Sequence, residues 1–186
     1  MNTVILCGEE KDGAVTNTLF AFFRSVGAGF LYLASHSLSF TPGNRDTADY
    51  LVVDNETIAD YRLSSGIVVF RSDMAGSAPE MRFPPQFVAV LEPRNIAAAN
   101  LLKAQGIRTV TCGLSQRDTV TFSSLTETSA VVSLQREIQS IDGEDILPRE
   151  VPLAFSRPKP DYPMLAAMSV LLLSGAQLPE NGLSLG

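Results

Sequence analysis

Residues 4–27 have the sequence VILCGEEKDGAVTNTLFAFFRSVG, and this stretch decides the fold prediction. A short apolar and β-branched run, 3–7, stops at Gly8, and a polar loop follows. The next apolar positions recur at helical spacing: Val15, Leu19, Phe22, Phe23 and Val26. Gly27 then stands where the C-terminus of a helix is expected. The order strand, loop, helix predicts the first half of a βαβ unit.

Further apolar runs predict the other strands of the sheet: 50–53, 66–70, 87–91 and 109–112. Short uninterrupted apolar runs are typical of strands that are covered on both faces, as in a parallel sheet. An Ala- and Leu-rich stretch, 96–105, predicts a helix that ends at Gly106. Residues 29–44 give no clear element, and residues 71–85 are interpreted as loop because Pro, Gly and Ser interrupt them.

The second half of the chain changes character after Gly113. Four segments are interpreted as strands of a small antiparallel or mixed sheet over 118–156: 118–125, 130–134, 136–141 and 144–147. Asp142-Gly143 is a two-residue turn signal. Pro163 suits the first turn of a last helix, 164–174, with Asp161 and Tyr162 as cap and staple. We therefore expect one α/β domain, a three-layer αβα arrangement with a mostly parallel sheet and a P-loop-like start. Its parts are a core over 1–113, an antiparallel extension over 114–157, and a helix and tail over 158–186.

The composition of the chain argues against several classes of function. The 186 residues carry a net charge of −6 without a cluster of Lys and Arg, which argues against nucleic-acid binding. The longest apolar stretch, 164–173, has about half of the ~20 residues that a membrane span needs. The first residues turn acidic where a signal peptide would stay apolar, so we expect a cytoplasmic protein. A mean hydropathy of +0.14 leaves room for a protein partner or a homo-oligomer.

The opening stretch resembles the start of the central domain of the Mur ligases and folylpolyglutamate synthases. In that family an apolar strand leads into a loop of the form GTxGKT and then into a helix that ends in Gly. Gly8 falls on the first loop glycine and Gly27 on the glycine that ends the helix. The second loop glycine falls on Lys11, the phosphate-binding lysine on Asp12 and the magnesium-binding threonine on Gly13. The resemblance implies that the spacing of the loop is kept while its chemistry is lost.

Two later stretches follow the same family. Residues 87–125 resemble its later strand, helix and strand with a Cys-Gly turn, which antiparallel strands follow. Residues 161–176 resemble its helix of the form NALAAxAxALxxG, with the leading asparagine falling on Pro163. The histidine segment of the family has no match, because His36 lies far too early and is interpreted as a polar loop residue. The resemblance implies a degenerate and truncated relative.

The loop after the first strand is the candidate site. A turn there aims backbone N–H groups and a helix dipole at an anion, so we select it as an anion or nucleotide loop. Its residues are Gly8, Glu9, Glu10, Lys11, Asp12, Gly13 and Ala14. Three acids against one Lys repel a triphosphate, which makes ATP with magnesium a disfavoured cofactor, and an ordinary solvated turn is the alternative interpretation.

No catalytic residue and no metal ligand is assigned from the sequence. Asp54 and Asp73 are the acids considered for magnesium, and each is interpreted as a loop residue. Cys7 and Cys112 lie in apolar runs and are expected to be buried, reduced thiols.

Three functions remain open at this point. The first is a non-catalytic relative of the Mur ligase central domain with a binding or regulatory role, linked to cell-wall precursor metabolism. The second is a small-molecule or nucleotide-binding domain that uses the Gly8–Gly13 loop. The third is part of an ATP-dependent amide ligase that a partner chain completes. The unmatched lysine, threonine and histidine favour a protein that is not an enzyme.

Overall fold

A seven-stranded sheet forms the centre of the molecule. The computed structural model describes residues 1–8, 13–34, 36–54, 62–71, 81–157 and 161–186. The strands of this sheet are β1 (Asn2–Cys7), β2 (Phe30–Ala34), β3 (Ser37–Thr41), β4 (Tyr50–Asp54), β5 (Gly66–Phe70), β6 (Phe87–Leu91) and β7 (Arg108–Thr111). Their order is β3-β2-β4-β1-β5-β6-β7. Of these described strands, only the edge strand β3 runs antiparallel to its neighbour, so the predicted parallel sheet is confirmed.

Helices cover both faces of this sheet. They are α1 (Ala14–Ser25), α2 (Ile96–Gln105) and α3 (Asp161–Leu173). Alternate strand residues divide into two buried clusters, because successive side chains of a strand point to opposite faces. Val4 and Leu6 belong to the cluster that contains α1 and α3, whereas Ile5 and Cys7 belong to the cluster that contains α2. The expected three-layer arrangement is therefore confirmed.

A smaller sheet lies beyond α3. It consists of β8 (Val120–Leu125), β9 (Ser129–Leu134), β12 (Arg149–Phe155) and β13 (Leu183–Leu185), in the order β13-β12-β9-β8. The pairs β8–β9 and β9–β12 are antiparallel, whereas β12 and β13 are parallel. The remaining strands, β10 (Ile138–Gln139) and β11 (Asp145–Ile146), form a separate ribbon. The predicted antiparallel extension is confirmed.

Helix α3 is buried between the two sheets. Every residue from Tyr162 to Leu173 is buried, and their apolar side chains join the strands of both sheets in one cluster. Because the helix has no exposed face, its sequence shows no polar stripe. Ser169, the one serine in this run, donates to the carbonyl of Leu165 at 2.8 Å and lies 3.1 Å from the Cys112 thiol. No helix in the described part of the chain is long and apolar enough to cross a bilayer.

The chain between α1 and β4 forms a hairpin that the sequence did not indicate. Its two strands, β2 and β3, pair in antiparallel register. Gly29 and Gly43 are needed there because the backbones approach closely. A β-carbon on Gly29 would meet the carbonyl oxygen of Thr47, and one on Gly43 would meet the backbone nitrogen of Gly29. Glycines that suggested irregular structure are therefore points of close backbone packing.

The ribbon strands are shorter than predicted. Strand β10 has two residues in place of the predicted segment 136–141, and β11 has two in place of 144–147. The turn at Asp142-Gly143 is closed by Ser140, whose N–H donates to the carbonyl of Glu144 at 2.9 Å. The Ser140 hydroxyl also accepts from the N–H groups of Asp142 at 3.2 Å and Glu144 at 3.0 Å. These side-chain bonds replace ladder bonds, which shortens the strands.

Candidate functional site

The carboxyl ends of three parallel strands meet around the start of α1. Gly8 follows β1, Asp54 ends β4 and Arg71 follows β5, and β1 lies between the other two strands. The chain leaves β1 through α1 on one face, whereas α2 covers the other face beyond β5. This edge is the switch point of the sheet, where α/β proteins bind ligands.

Two glycines bound the predicted anion loop. Gly8 has φ 96° and Gly13 has φ 65°, and residues other than glycine rarely adopt these backbone angles. Gly13 directly precedes α1, and its carbonyl accepts from the N–H of Asn17 at 2.8 Å. Ala14 is the first residue of α1. Glu9, Glu10, Lys11 and Asp12 lie outside the described residues, so their role in the loop stays a prediction.

A buried arginine lies beside Gly8, the residue at which this loop begins. Arg71 is only 5% exposed. Its Nη1 donates to the carbonyl of Gly8 at 3.0 Å, and its Nη2 donates to the Thr16 hydroxyl at 3.0 Å. Nη2 also lies 2.7 Å from Oδ2 of Asp54, which makes a salt bridge. The guanidinium therefore joins β1, β4, β5 and the first turn of α1.

Further hydrogen bonds extend this Arg71 network across the sheet. The hydroxyl of Tyr32, on β2, donates to Oδ2 of Asp54 at 2.7 Å. The Asn95 side chain donates to the carbonyl of Arg71 at 3.1 Å and accepts from the N–H of Ala98 at 3.0 Å, which caps α2. One continuous network thus connects the strand ends to the start of both surrounding helices.

The network fits poorly with a magnesium nucleotide. Asp54 is not the loop residue that the sequence predicts, because it ends β4 and its carboxylate accepts hydrogen bonds from Tyr32 and Arg71. A magnesium ion bound to Asp54 would lie beside the Arg71 guanidinium, and the two positive charges would repel each other. Among the described residues, no group of three or more His, Cys, Asp and Glu is arranged to hold a metal ion. Asp73 lies outside the described residues.

Sequence reasoning missed Arg71. The residue begins the stretch 71–85, which was interpreted as loop, and nothing in that stretch singles it out. The one local signal is a charged residue directly after a fully buried strand, GIVVF. A buried charge needs a partner, so that position predicts an ion pair, although the sequence alone does not name Asp54.

Two buried groups near α3, Cys112 and Tyr162, hold their protons at neutral pH. Burial raises the pKa of the Cys112 thiol to about 12, and its hydrogen bond with Ser169 only partly offsets this rise. Burial also raises the pKa of Tyr162 well above its usual value. The Tyr162 hydroxyl donates to the carbonyl of Phe70 and lies 3.4 Å from that of Val90, so it ties α3 to the ends of β5 and β6. The expected burial of Cys7 and Cys112 is confirmed.

Solved structures of two ligase groups share this fold. A UDP-N-acetylmuramate:L-alanyl-gamma-D-glutamyl-meso-diaminopimelate ligase from Neisseria meningitides aligns with 94% of this chain at TM-score 0.61 and 11% identity. A UDP-N-acetylmuramoylalanyl-D-glutamyl-2,6-diaminopimelate–D-alanyl-D-alanyl ligase from Acinetobacter baumannii aligns with 96% at TM-score 0.56 and 15% identity. A bifunctional folylpolyglutamate synthase/dihydrofolate synthase from Yersinia pestis aligns with 97% at TM-score 0.59 and 12% identity.

These likenesses establish the fold. The chain has the fold seen in Mur ligases and folylpolyglutamate synthases, as the resemblance implied. It spans 62%, 44% and 56% of the length of the three proteins named. No family model matches the sequence, and no curated protein matches it.

Proposed function

We propose that this chain is a non-catalytic binding or regulatory protein built on the Mur ligase and folylpolyglutamate synthase fold. The observation that carries the proposal is the Arg71 network at the switch point. A phosphate-binding loop presents a cationic side chain to its ligand. Here the guanidinium of Arg71 is turned inward, and protein oxygens of Gly8, Thr16 and Asp54 accept its hydrogen bonds.

The charges of the loop support the same proposal. In the resemblance, Asp12 takes the position of the phosphate-binding lysine and Gly13 that of the magnesium-binding threonine. An acid in place of a base repels the phosphates of a nucleotide, and a glycine supplies no hydroxyl to a metal ion. The proposed role includes a link to cell-wall precursor metabolism, because the Mur ligases are among the proteins that share the fold.

The release of phosphate from ATP tests the proposal directly. The wild-type chain and an Asp12→Asn variant are compared, with Asp142→Asn as the control because Asp142 is an exposed acid in the β10–β11 turn. We expect no release above the buffer blank from any of the three. Hydrolysis by the wild type that Asp12→Asn abolishes and Asp142→Asn retains refutes a non-catalytic role.

A ligand-binding loop is the second candidate, and one observation favours it. Gly8 and Gly13 adopt positive φ at the carboxyl end of β1, the position where such sheets bind ligands. A ligand present at 100 times its Kd stabilises the native state by about 2.7 kcal/mol. For a domain of this size that raises the Tm by about 5–10 °C. ATP, ADP and UDP-sugars are the ligands to compare.

A pair of glycine variants shows where a ligand binds. Gly13→Ala and Gly106→Ala impose the same backbone strain, since the two residues have φ 65° and 66°. Only Gly13 bounds the candidate loop. A Tm shift that Gly13→Ala removes and Gly106→Ala preserves supports the loop as a binding site. A UDP-sugar that shifts the Tm while ATP and ADP do not supports the cell-wall link, and no shift with any of the three refutes this candidate for them.

The third candidate, a ligase completed by a partner chain, makes a different prediction. Phosphate release then depends on a second protein that co-purifies with the chain. Release that appears only when this protein is present supports the partner-completed ligase. Absence of any co-purifying protein in mass spectrometry argues against it.

A further inference from the structure

At one edge of the large sheet, the outermost strand has no partner among the described strands. Strand β3 ends the strand order, and no described strand pairs with its outer side. The backbone N–H and C=O groups along such an edge are a template for another strand. Strand β3 has the sequence SLSFT, with four of its five residues exposed and the fifth partly buried. It contains no charged residue and no proline.

The other edges of the two larger sheets carry features that oppose pairing. Strand β7 has Arg108 exposed at its start. Strand β8 contains a bulge between Phe122 and Ser124. Strand β13 has only three residues. Charges, bulges and short length are the devices by which proteins protect sheet edges, and β3 has none of them.

One face of the β2–β3 hairpin is apolar and exposed. The register pairs Leu33 with Leu38 and Leu31 with Phe40, so these four side chains share a face of the sheet. Leu38 is 66% exposed, Phe40 48% and Leu33 38%. An open edge beside an apolar patch fits an added strand whose own apolar side chains extend the patch.

The sequence of β3 indicates that the added strand is a second copy of the same strand. In an antiparallel pair centred on Ser39, Ser37 faces Thr41 of the other copy and Leu38 faces its Phe40. Each apolar side chain then meets an apolar side chain, each small polar one meets a small polar one, and no like charges meet. A two-fold interface requires this self-complementarity, since residue i contacts j while j contacts i.

We propose that the chain forms a two-fold symmetric dimer in which the β3 strands of two copies pair antiparallel about Ser39. The large sheet becomes continuous across the two copies. Leu38 and Phe40 form two apolar contacts at the junction, beside Leu33 of each copy. In the strand order, β2 and β4 separate β3 from β1, the strand that leads to Gly8. The proposed dimer therefore does not depend on the function proposed for the candidate site.

Light scattering coupled to size exclusion over a range of concentrations tests the proposal. The full chain has a mass of 20.0 kDa, and its weight-average mass is expected to rise towards twice that value with concentration. Leu38→Lys and Phe40→Glu each introduce two charges into the interface, one from each copy. Each variant is expected to raise the dimer Kd about 100-fold or more. Leu147→Lys is the matched control, because Leu147 is 65% exposed, close to the 66% of Leu38, and follows β11, outside the large sheet.

The double variant L38K/F40E tests the register. In the proposed pairing the introduced lysine of each copy faces the introduced glutamate of the other, so two pairs of opposite charge form. The double variant is therefore expected to dimerise about ten-fold more tightly than either single variant. Hydrogen exchange of the wild type supplies a measurement without substitutions: amide exchange in 37–41 slows as the concentration rises. Circular dichroism of each variant confirms that it is folded, since the changed side chains are exposed.

Five results overturn the proposal. Four of them are a monomer at every concentration, a dimer that neither single variant weakens, equal weakening by Leu147→Lys, and a double variant no tighter than the single ones. Exchange in 37–41 that does not change with concentration also overturns it. A monomer that gains protection in 37–41 only when a foreign extended peptide is added assigns this edge to a different partner.

Discussion

Replacement of Arg71 by methionine tests whether the network at the switch point stabilises the fold. Methionine, like arginine, has an unbranched side chain, but it is apolar, so this replacement removes the guanidinium. The change deletes the 2.7 Å ion pair with Asp54 and the two 3.0 Å hydrogen bonds to Gly8 and Thr16. It leaves the Asp54 carboxylate with its bond from Tyr32 and no neutralising charge from Arg71.

The expected cost follows from burial. The side chains of Arg71 and Asp54 are 6% and 16% exposed, so the pair is largely removed from water. Loss of one partner from a buried pair costs about 3–5 kcal/mol, because the other charge stays buried. Arg71→Met and Asp54→Leu are each expected to lower the free energy of unfolding by that amount. The double variant is expected to lose about 2–3 kcal/mol less than the sum, since it buries no unpaired charge.

Urea unfolding followed by circular dichroism measures these differences. Arg136→Met is the matched control, because Arg136 also donates to a backbone carbonyl, that of Arg117 at 2.6 Å, yet is exposed. It is expected to change the free energy of unfolding by no more than about 1 kcal/mol. If Arg71→Met costs no more than Arg136→Met, the network does not stabilise the fold. If the costs of the two single changes are additive, Arg71 and Asp54 are not coupled. Either result refutes the reasoning from a buried ion pair.

Three further changes test the packing around α3. Met168→Ala removes a side chain that is 0% exposed between the sheets and is expected to cost about 2–5 kcal/mol in urea unfolding; a value near that of an exposed Leu114→Ala change contradicts the buried position of the helix. Tyr162→Phe removes the hydroxyl that donates to a strand-end carbonyl and is expected to cost about 1–3 kcal/mol, and an unchanged urea midpoint would argue against that bond. Burial raises the pKa of the Cys112 thiol from 9.0 to about 12. Between these pH values the folded state keeps the thiol proton, whereas the unfolded state loses it. The contribution of this group to stability is therefore fully present below pH 9 and is lost as the pH rises through 12. A pH series of urea midpoints is expected to fall more steeply for the wild type than for Cys112→Ala, and parallel curves would refute the burial of the thiol.

Much of the large sheet follows from local patterns. Strands Gly66–Phe70 and Phe87–Leu91 and helix Ile96–Gln105 lie where the sequence predicted them. Continuous apolar runs indicate strands with two covered faces, and Gly106 ends the helix in a left-handed conformation. Interactions between near neighbours suffice for such elements, so one sequence predicts them.

Elements that depend on distant partners were missed. Strand β3, SLSFT, shows no continuous apolar run. Strand β2, FLYLA, is apolar throughout but lies in the stretch 29–44, which Gly, Ser, Thr and Pro interrupt. Strand β13 exists because Leu183 and Leu185 are buried against β12, which ends at Phe155. An alternation of apolar residues over only three positions is a weak indication of a strand. The pairing with β12 therefore determines that this segment is a strand.

Local patterns in the sequence are enough to predict the main parallel strands, helix 96–105, the two glycines that bound the candidate loop and the acidic charge between them. The contacts of Arg71 with Asp54, 17 positions away, and with the carbonyl of Gly8, 63 positions away, follow only from the folded structure. This is because long-range pairing sets the strand order, which determines which strand ends become neighbours. A charge that follows a buried strand must find its partner among those neighbours, and no short-range pattern records which ones they are.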